Sequence, residues 1–370
     1  MIRVGIVGAA FAGALHAEAL VATGRVEIAG VVSATAPSGA AFAERWGCHS
    51  YANVAALIDS ERPDVLSLAM PNRFHRDAAV TAATAGIHVI CEKPLAMNLV
   101  EADEMIAASE RARVHLFYAE QLCFAPRYVK VRELVRSGAL GDIVQVRHQE
   151  RHGGPHASWF HDPQKSGGGA LLDMGCHGIA LTRWLLDRPV VRSVHAHLGI
   201  HKHLGGVVDD HAVVTLAFES GTVAVIDASW AAPGGVDERL EVLGTKGSVI
   251  ADLARGQAML VYSDVGVGYA AEKVEITTGW TFVGHEEART WGWFGEMAHF
   301  VDCLEGHATP DQTGADGRAT LEVVMAAYQS AADGAEVRFP FASTAAMPIE
   351  PWLAARRNLV SPFDQIPCGP

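Results

Sequence analysis

Short apolar runs alternate with amphipathic stretches through the first third of the chain. Ile2–Val7, Ile28–Val32, Asp64–Ala69, Ile87–Ile90 and Val114–Tyr118 have the pattern of strands buried on both faces. Between them, Phe11–Leu20, Gly39–Trp46, Val54–Ile58, Arg76–Gly86 and Leu99–Arg111 place helix formers at helical spacing, and a further short strand is predicted near Tyr51. Strands and helices alternating at this interval predict an α/β unit, a doubly wound parallel sheet over residues 1–122.

The pattern then changes. Ala125–Ser137 reads as a helix with apolar Val129, Val131, Leu134 and Val135, followed by a strand at Ile143–Arg151 and a helix at Ala170–Leu186. From Arg192 the period falls to two: Val194–Leu198, Ala212–Phe218, Thr222–Trp230, Glu238–Leu243, Ser248–Asp252 and Ala258–Tyr262. Turns at Ser220-Gly221 and Thr245-Lys246-Gly247 join them into a large, mostly antiparallel sheet with one open face. That face is expected to be apolar and to carry a homodimer or homotetramer. Two helices follow, Trp291–Leu304 and Gly317–Ala331. The second unit is therefore α+β over 123–345, and prolines at 348, 351, 362, 367 and 370 predict an extended tail over 346–370.

A length of 370 residues agrees with two domains, and 49% hydrophobic with 19% charged residues suits large cores. A net charge of −13 argues against nucleic acid or an anionic membrane as partner. No apolar run approaches membrane-spanning length, and no basic segment followed by an apolar one precedes the first strand. Cys48, Cys91, Cys123, Cys176, Cys303 and Cys368 are scattered without zinc-site spacing, which implies reduced thiols and a cytoplasmic location.

The first strand enters a glycine turn, Gly8-Ala9-Ala10-Phe11-Ala12-Gly13, ahead of a helix. This is the dinucleotide fingerprint with Ala10 in place of its middle glycine. Where an acid would hold the ribose 2′-hydroxyl stands Ser33, followed by Ala34 and Thr35, so a 2′-phosphate is permitted and NADP binds as well as NAD or slightly better. The strand Ile87–Ile90 runs into Cys91-Glu92-Lys93-Pro94, where proline stops the ladder and two charges stand at the mouth of a buried strand. In an open parallel sheet that mouth is where ligands bind, as is the turn Met70-Pro71-Asn72. Further along, Gly167-Gly168-Gly169 allows close backbone packing, and Asp173 and His177 share a helix face at i and i+4. The loop His152–Phe160 combines His152, His156 and Trp159, suited to a sugar-pocket rim or to solvent. A metal held by His152, His156 and His177 is the alternative, but their spacing alone does not converge them, and no metal is expected.

Gly8…Gly13-x-x-His16, Pro71-Asn72-x-x-His75, Glu92-Lys93-Pro94 and Gly167–His177 together resemble the glucose–fructose oxidoreductase/inositol dehydrogenase family (Gfo/Idh/MocA), in order over residues 1–340. The resemblance implies an NAD(P)-dependent oxidoreductase that moves a hydride between nicotinamide and a secondary hydroxyl or ketone of a sugar, glycoside or cyclitol. On that basis Lys93, Asp173 and His177 are the expected catalytic residues, with His177 as acid/base and Lys93 as the cation at the reacting oxygen. Cofactor contacts are expected from Gly8 to Gly13, Ser33, Ala34, Thr35, Met70, Pro71, Asn72, His75, Glu92, Lys93, Gln121 and Trp159. Substrate contacts are expected from Lys93, Glu120, His152, His156, Trp159, Asp173 and His177. The chain departs from the family pattern at Ala10, at Ser33 and at Phe160, where many relatives carry Arg. Two other functions are compatible with the resemblance: a redox-neutral glycosidase or lyase that oxidises a sugar transiently with tightly held NAD, and a cofactor-sensing regulator.

Overall fold

The computed structural model describes residues 1–358 apart from 156, 234, 255–258, 272, 273, 284 and 285. The chain runs β1 (Ile2–Val7), α1 (Phe11–Val21), β2 (Val26–Val32), α2 (Ala36–Trp46), β3 (His49–Tyr51), α3 (Val54–Glu61), β4 (Val65–Leu68), α4 (His75–Thr84), β5 (His88–Glu92), α5 (Leu99–Ala112) and β6 (Leu116–Ala119). These six strands form one parallel sheet in the order β3-β2-β1-β4-β5-β6. The order reverses between β1 and β4, so a crevice opens beyond their carboxyl ends. Local chemistry sets the helix limits: Asn53 and Asn98 accept the Ala56 and Glu101 amides as N-caps of α3 and α5, and Gly47 ends α2 at φ 67°. The outer edge of β6 is sealed from far along the chain, where Gln312 O accepts the Tyr118 amide at 3.3 Å and Thr313 bridges Phe117.

The chain continues through α6 (Pro126–Arg136), β7 (Ile143–Arg151), α7 (Pro163–Ser166), α8 (Cys176–Leu185), β8 (Val191–Gly199), β9 (His211–Phe218), β10 (Val223–Ser229), β11 (Asp237–Gly244) and β12 (Ser248–Asp252). It ends with β13 (Met259–Ala271), β14 (Val274–Val283), α9 (Glu287–Thr290), α10 (Trp293–Leu304), α11 (Gly314–Asp333), β15 (Val337–Arg338) and α12 (Glu350–Asn358). Seven strands form the second sheet, β12-β11-β7-β10-β9-β8-β15, antiparallel except for the β7–β10 pair. Alternation buries Val146, Val214, Leu216, Ala224, Ile226 and Leu240 on the face covered by α8 and α11. Among the described residues no helix is long and apolar enough to cross a membrane.

Three expectations are corrected. The segment expected at 258–262, whose first residue lies outside the described ones, does not extend the large sheet from 259 on; among the described residues β13 pairs with β14 in a separate two-stranded ribbon. Period-two alternation identifies a strand without naming its partner. The open sheet face is not wholly apolar: beside Val213, Val225 and Ile250 it carries Arg147, Gln149, Arg151, Asp227, Arg239 and Glu241, with Arg151 paired to Asp227 and Arg239 to Glu241. The tail is not extended throughout, because Glu350–Asn358 is helical with Pro351 in its first turn, where a missing N–H costs nothing; residues 359–370 lie outside the described residues.

Candidate active site

The carboxyl ends of the first sheet, the segment 159–177 and the entry to α10 enclose a cavity of about 680 Å³. Its floor is the glycine turn. A Cβ on Gly8, at φ 111°, would stand 2.0 Å from Ala69 O, and one on Gly13 would stand 1.8 Å from Gly8 O. Those glycines therefore let β1, β4 and α1 close together, while Gly8, Ala9, Ala10, Phe11 and Ala12 line the space. Ala10 is the N-cap of α1 and offers no side-chain cap, so the first helical amides are open to an anion. At the end of β2 the cavity meets Ser33, Ala34 and Ser38, whose hydroxyls join Thr35 in a chain: Ser33 Oγ to Ser38 Oγ 2.5 Å, Ser38 Oγ to Thr35 Oγ1 2.7 Å. Thr35 itself caps α2 and Gly13 packs beneath the turn; neither faces the cavity.

The strand mouth holds the expected charges. Glu92 is tied by Oε1 to His16 Nε2 at 3.0 Å and accepts the Lys93 amide at 3.0 Å through Oε2. His16 is fully buried, and its Nδ1 lies 2.7 Å from Ser67 Oγ. Burial pushes the Glu92 carboxyl up, but His16, Lys93 and His177 outweigh it and hold it below the usual carboxylate range. Met70, Pro71 and Asn72 line the cavity; His75 stands behind them, its ring nitrogens within reach of Met70 O (2.8 Å) and Pro94 O (3.0 Å), and burial lowers its pKa against the pull of those carbonyls. Asn72 Nδ2 donates to Ser166 O at 2.6 Å, joining the sheet edge to α7.

Lys93 crosses to the second unit. Its Nζ donates to Asp173 O at 2.8 Å and Asp173 Oδ1 at 2.9 Å, and the other carboxylate oxygen accepts Trp230 Nε1 at 3.1 Å. Burial lowers the pKa of the ammonium, yet Asp173, with Cys176, Glu92 and Glu150 around it, more than reverses this and holds Lys93 above the ordinary lysine value. Lys93 is thus a permanent cation in the cavity, unsuited to act as a base.

Asp173 reaches it because the expected single helix begins as a wider π-turn, Leu171–Gly175, before α8. The glycine run makes that turn: a Cβ on Gly169 would lie 1.9 Å from Asp209 O, and one on Gly168 would lie 2.4 Å from the Tyr328 hydroxyl. Asp209, fully buried, accepts the Gly169 amide (3.0 Å), the Leu171 amide (2.8 Å) and Tyr328 OH (2.7 Å). Burial nevertheless pushes its carboxyl up to about 6.

His177 lines the cavity, and its Nδ1 stands 2.6 Å from Glu120 Oε1. Gln121 and Trp159 also line it, with Trp159 stacked on Phe160 at 3.9 Å between ring centroids. Glu120 and His152 are buried and lie behind the wall; His152 Nδ1 accepts the Gly154 amide at 3.1 Å. His156 lies outside the described residues. The cavity therefore gathers Lys93, Asp173 and His177 with the glycine turn, and leaves Gly13, Thr35, His75, Glu120 and His152 as supports around it. Among the described residues, Glu120, Cys176 and His177 bring ligand-type atoms within 4.8 Å of one another, as do the more exposed Asp302, Glu305 and His307. In the first group the Glu120–His177 contact is a hydrogen bond, and Cys176 Sγ–H points to Asp173 O at 3.5 Å.

Sequence reasoning missed Glu150, Lys165, Trp291 and Trp293, which also line the cavity. Glu150 was visible as an acid at an inward position of β7, in step with Val146 and His148. The tryptophans flank Gly292, whose φ of 109° and would-be Cβ 2.0 Å from Gln121 O press this turn onto the first unit. Trp293 then meets Phe11 of the glycine turn edge-on at 6.3 Å.

The oxidoreductase family model for an NAD-binding Rossmann fold, GFO_IDH_MocA, matches residues 2–120, and the GFO/IDH/MocA C-terminal domain model matches residues 128–250. The myo-inositol 2-dehydrogenase of Thermotoga maritima is 27% identical over 331 residues, 89% of this chain and 96% of that protein. The D-glucoside 3-dehydrogenase of Escherichia coli is 32% identical over 247 residues, 62% of this chain and 70% of that one. Among solved structures, GenD2 from gentamicin A biosynthesis, in complex with NAD, superposes with a TM-score of 0.86 at 33% identity, covering 92% of this chain and 97% of its own. Levoglucosan dehydrogenase, in complex with NADH and levoglucosan, gives 0.77 at 25% identity, covering 92% and 100%.

Proposed function

Since the chain belongs to the GFO/IDH/MocA oxidoreductases and is an NAD(P)-dependent dehydrogenase of that family, we propose that it transfers a hydride between nicotinamide and a secondary hydroxyl of a sugar, glycoside or cyclitol. The observation that carries this reading is the meeting of Lys93, Asp173 and His177 in the cavity floored by the glycine turn. The residues fit a dinucleotide: the uncapped α1 N-terminus and the Gly8 turn suit a pyrophosphate, and Ser33 and Ser38 suit the adenosine ribose. Oxidised nicotinamide, when bound, supplies the hydride acceptor. His177 takes the hydroxyl proton, Lys93 stabilises the negative charge that builds on the oxygen, and Asp173 holds the Lys93 ammonium in place. Trp159 offers a flat apolar surface to a ring.

The hydroxyl chain at Ser33, without a carboxylate, supports NADP at least as good as NAD. The open sheet face, where Val213, Val225 and exposed Ile250 stand among paired charges, supports self-association to a dimer or tetramer, which light scattering at micromolar concentration reads directly; a monomeric mass overturns it. The test of function is absorbance at 340 nm across sugars, cyclitols and glycosides with both cofactors. Turnover with a member of that panel sustains the reading, and none with any sinks it. Trp291 and Trp293, both buried over the glycine turn, favour a second reading in which the cofactor is retained and recycled without net redox change. Co-purified cofactor combined with no dependence on added NAD(P) selects it.

A further inference from the structure

We propose that Glu120 is a positioning residue that fixes His177 in a single tautomer, so that Nε2 of the imidazole accepts the substrate proton and the carboxylate holds the ring in place as it does so. This rests on the reading of His177 as the base. Glu120 follows β6 and precedes the turn Gln121–Phe124; it is 0% exposed and takes no part in the cavity wall. Its Oε1 lies 2.6 Å from His177 Nδ1, and among the described residues its Oε2 has no hydrogen-bond partner. Burying a carboxylate is costly unless it is paired. Here the one side-chain hydrogen bond that compensates it goes to the histidine that lines the cavity.

The chemistry follows from the donor inventory. An ionised carboxylate only accepts, so the Nδ1 of neutral His177 carries the proton and its Nε2 holds the lone pair. Among the described residues Nε2 takes no hydrogen bond, which leaves that nitrogen for a hydroxyl in the cavity. As the substrate O–H bond breaks, its proton joins Nε2, the Nδ1 proton stays in the bond to Glu120, and the hydride leaves with its electron pair for the nicotinamide. The cation formed on the ring then sits against a fixed anion in a dry setting, where such a pair is strongest. The neighbouring acid Glu296 on α10 is fully buried, and burial with Glu92 and Glu120 nearby pushes its carboxyl well up, which favours its neutral form beside Glu120.

The test uses the full chain with Glu120→Gln, which keeps side-chain volume, and Glu120→Asp, which keeps the charge but shortens the reach. With ¹⁵N-histidine labelling, and the His177 signals identified by their loss in His177→Gln, the wild type should show Nδ1 protonated and Nε2 bare near neutral pH. Glu120→Gln should show a mixture of tautomers. With a substrate from the panel, Glu120→Gln should lower kcat about 100-fold while KM for cofactor stays within about twofold, and Glu120→Asp should recover only part of the loss. Wild-type His177 protonated on Nε2, or a folded Glu120→Gln that keeps a third of its kcat, overturns the proposal. If no substrate turns over, the proposed function fails while the spectrum still decides the role of Glu120, and the wild-type spectrum decides it if the variants do not fold.

Discussion

Two buried histidine–glutamate pairs meet at the same cavity. In the first, both ring nitrogens of His16 are engaged, by Ser67 and by Glu92, and the ring never meets the cavity. In the second, only Nδ1 of His177 is engaged, by Glu120, and the ring lines the cavity. The side chains are the same, and what separates a brace from a base is where the second nitrogen points. A histidine with both nitrogens bonded cannot exchange a proton without breaking structure; one with a single bond is oriented and still available.

The comparison breaks most visibly on turnover. His177→Ala and Lys93→Ala should each lower kcat by roughly 10² to 10⁴ with little change in cofactor affinity. Either variant keeping most of its activity in steady-state assays would place the chemistry elsewhere. His16→Ala should do the reverse. Leaving the buried Glu92 Oε1 without its partner costs about 2 kcal/mol of stability, visible as a lower Tm, while kcat of the folded fraction falls less than about tenfold. A kcat loss as large as that of His177→Ala would erase the distinction between the pairs.

A buried acid with no histidine partner sharpens it. The Asp209 carboxyl sits at about 6 in the folded protein against 3.8 ordinarily. The folded state therefore binds this proton more tightly than the unfolded chain. The contribution to stability is whole below the ordinary value and is lost as pH rises through the folded one, by roughly 3 kcal/mol in all. Denaturant titrations between pH 4 and 6 should show the wild type losing stability relative to Asp209→Asn; parallel curves would contradict it. The smallest effect is expected at the ribose end, where hydroxyls stand in for charge. Ser33→Asp should weaken NADP about tenfold more than NAD, and calorimetry showing equal losses would remove Ser33 from cofactor choice.

Much of the first unit was legible because each signal there is local. The apolar runs, Pro94 and the Gly8–Gly13 turn lie within single strand–turn–helix segments, and the sheet appears in the order such segments imply. The Gly167–Gly169 run was legible as close packing, though not that Asp209 and Tyr328 are what it packs against. What escaped depends on distant partners. Nothing near Glu120 announces that it will meet a histidine 57 positions later. The π-turn at Leu171–Gly175 follows from contacts with Asp209 rather than from helix propensity. The helix Glu350–Asn358 was hidden by prolines whose meaning depends on their place in a turn, and β13 carried the right period without revealing that its partner was β14.

The sealed edge of β6 bears on the order of events during synthesis. All six strands of the first sheet exist once Ala119 has left the ribosome, and α1 to α5 can already cover both faces. Its outer strand, however, donates the Tyr118 amide to Gln312 O and is bridged at Phe117 by Thr313. Until those residues are made, Leu116–Ala119 remains a short apolar edge open to any passing strand. The nascent chain thus makes every strand of its second sheet but the last, β15, with the first sheet unfinished.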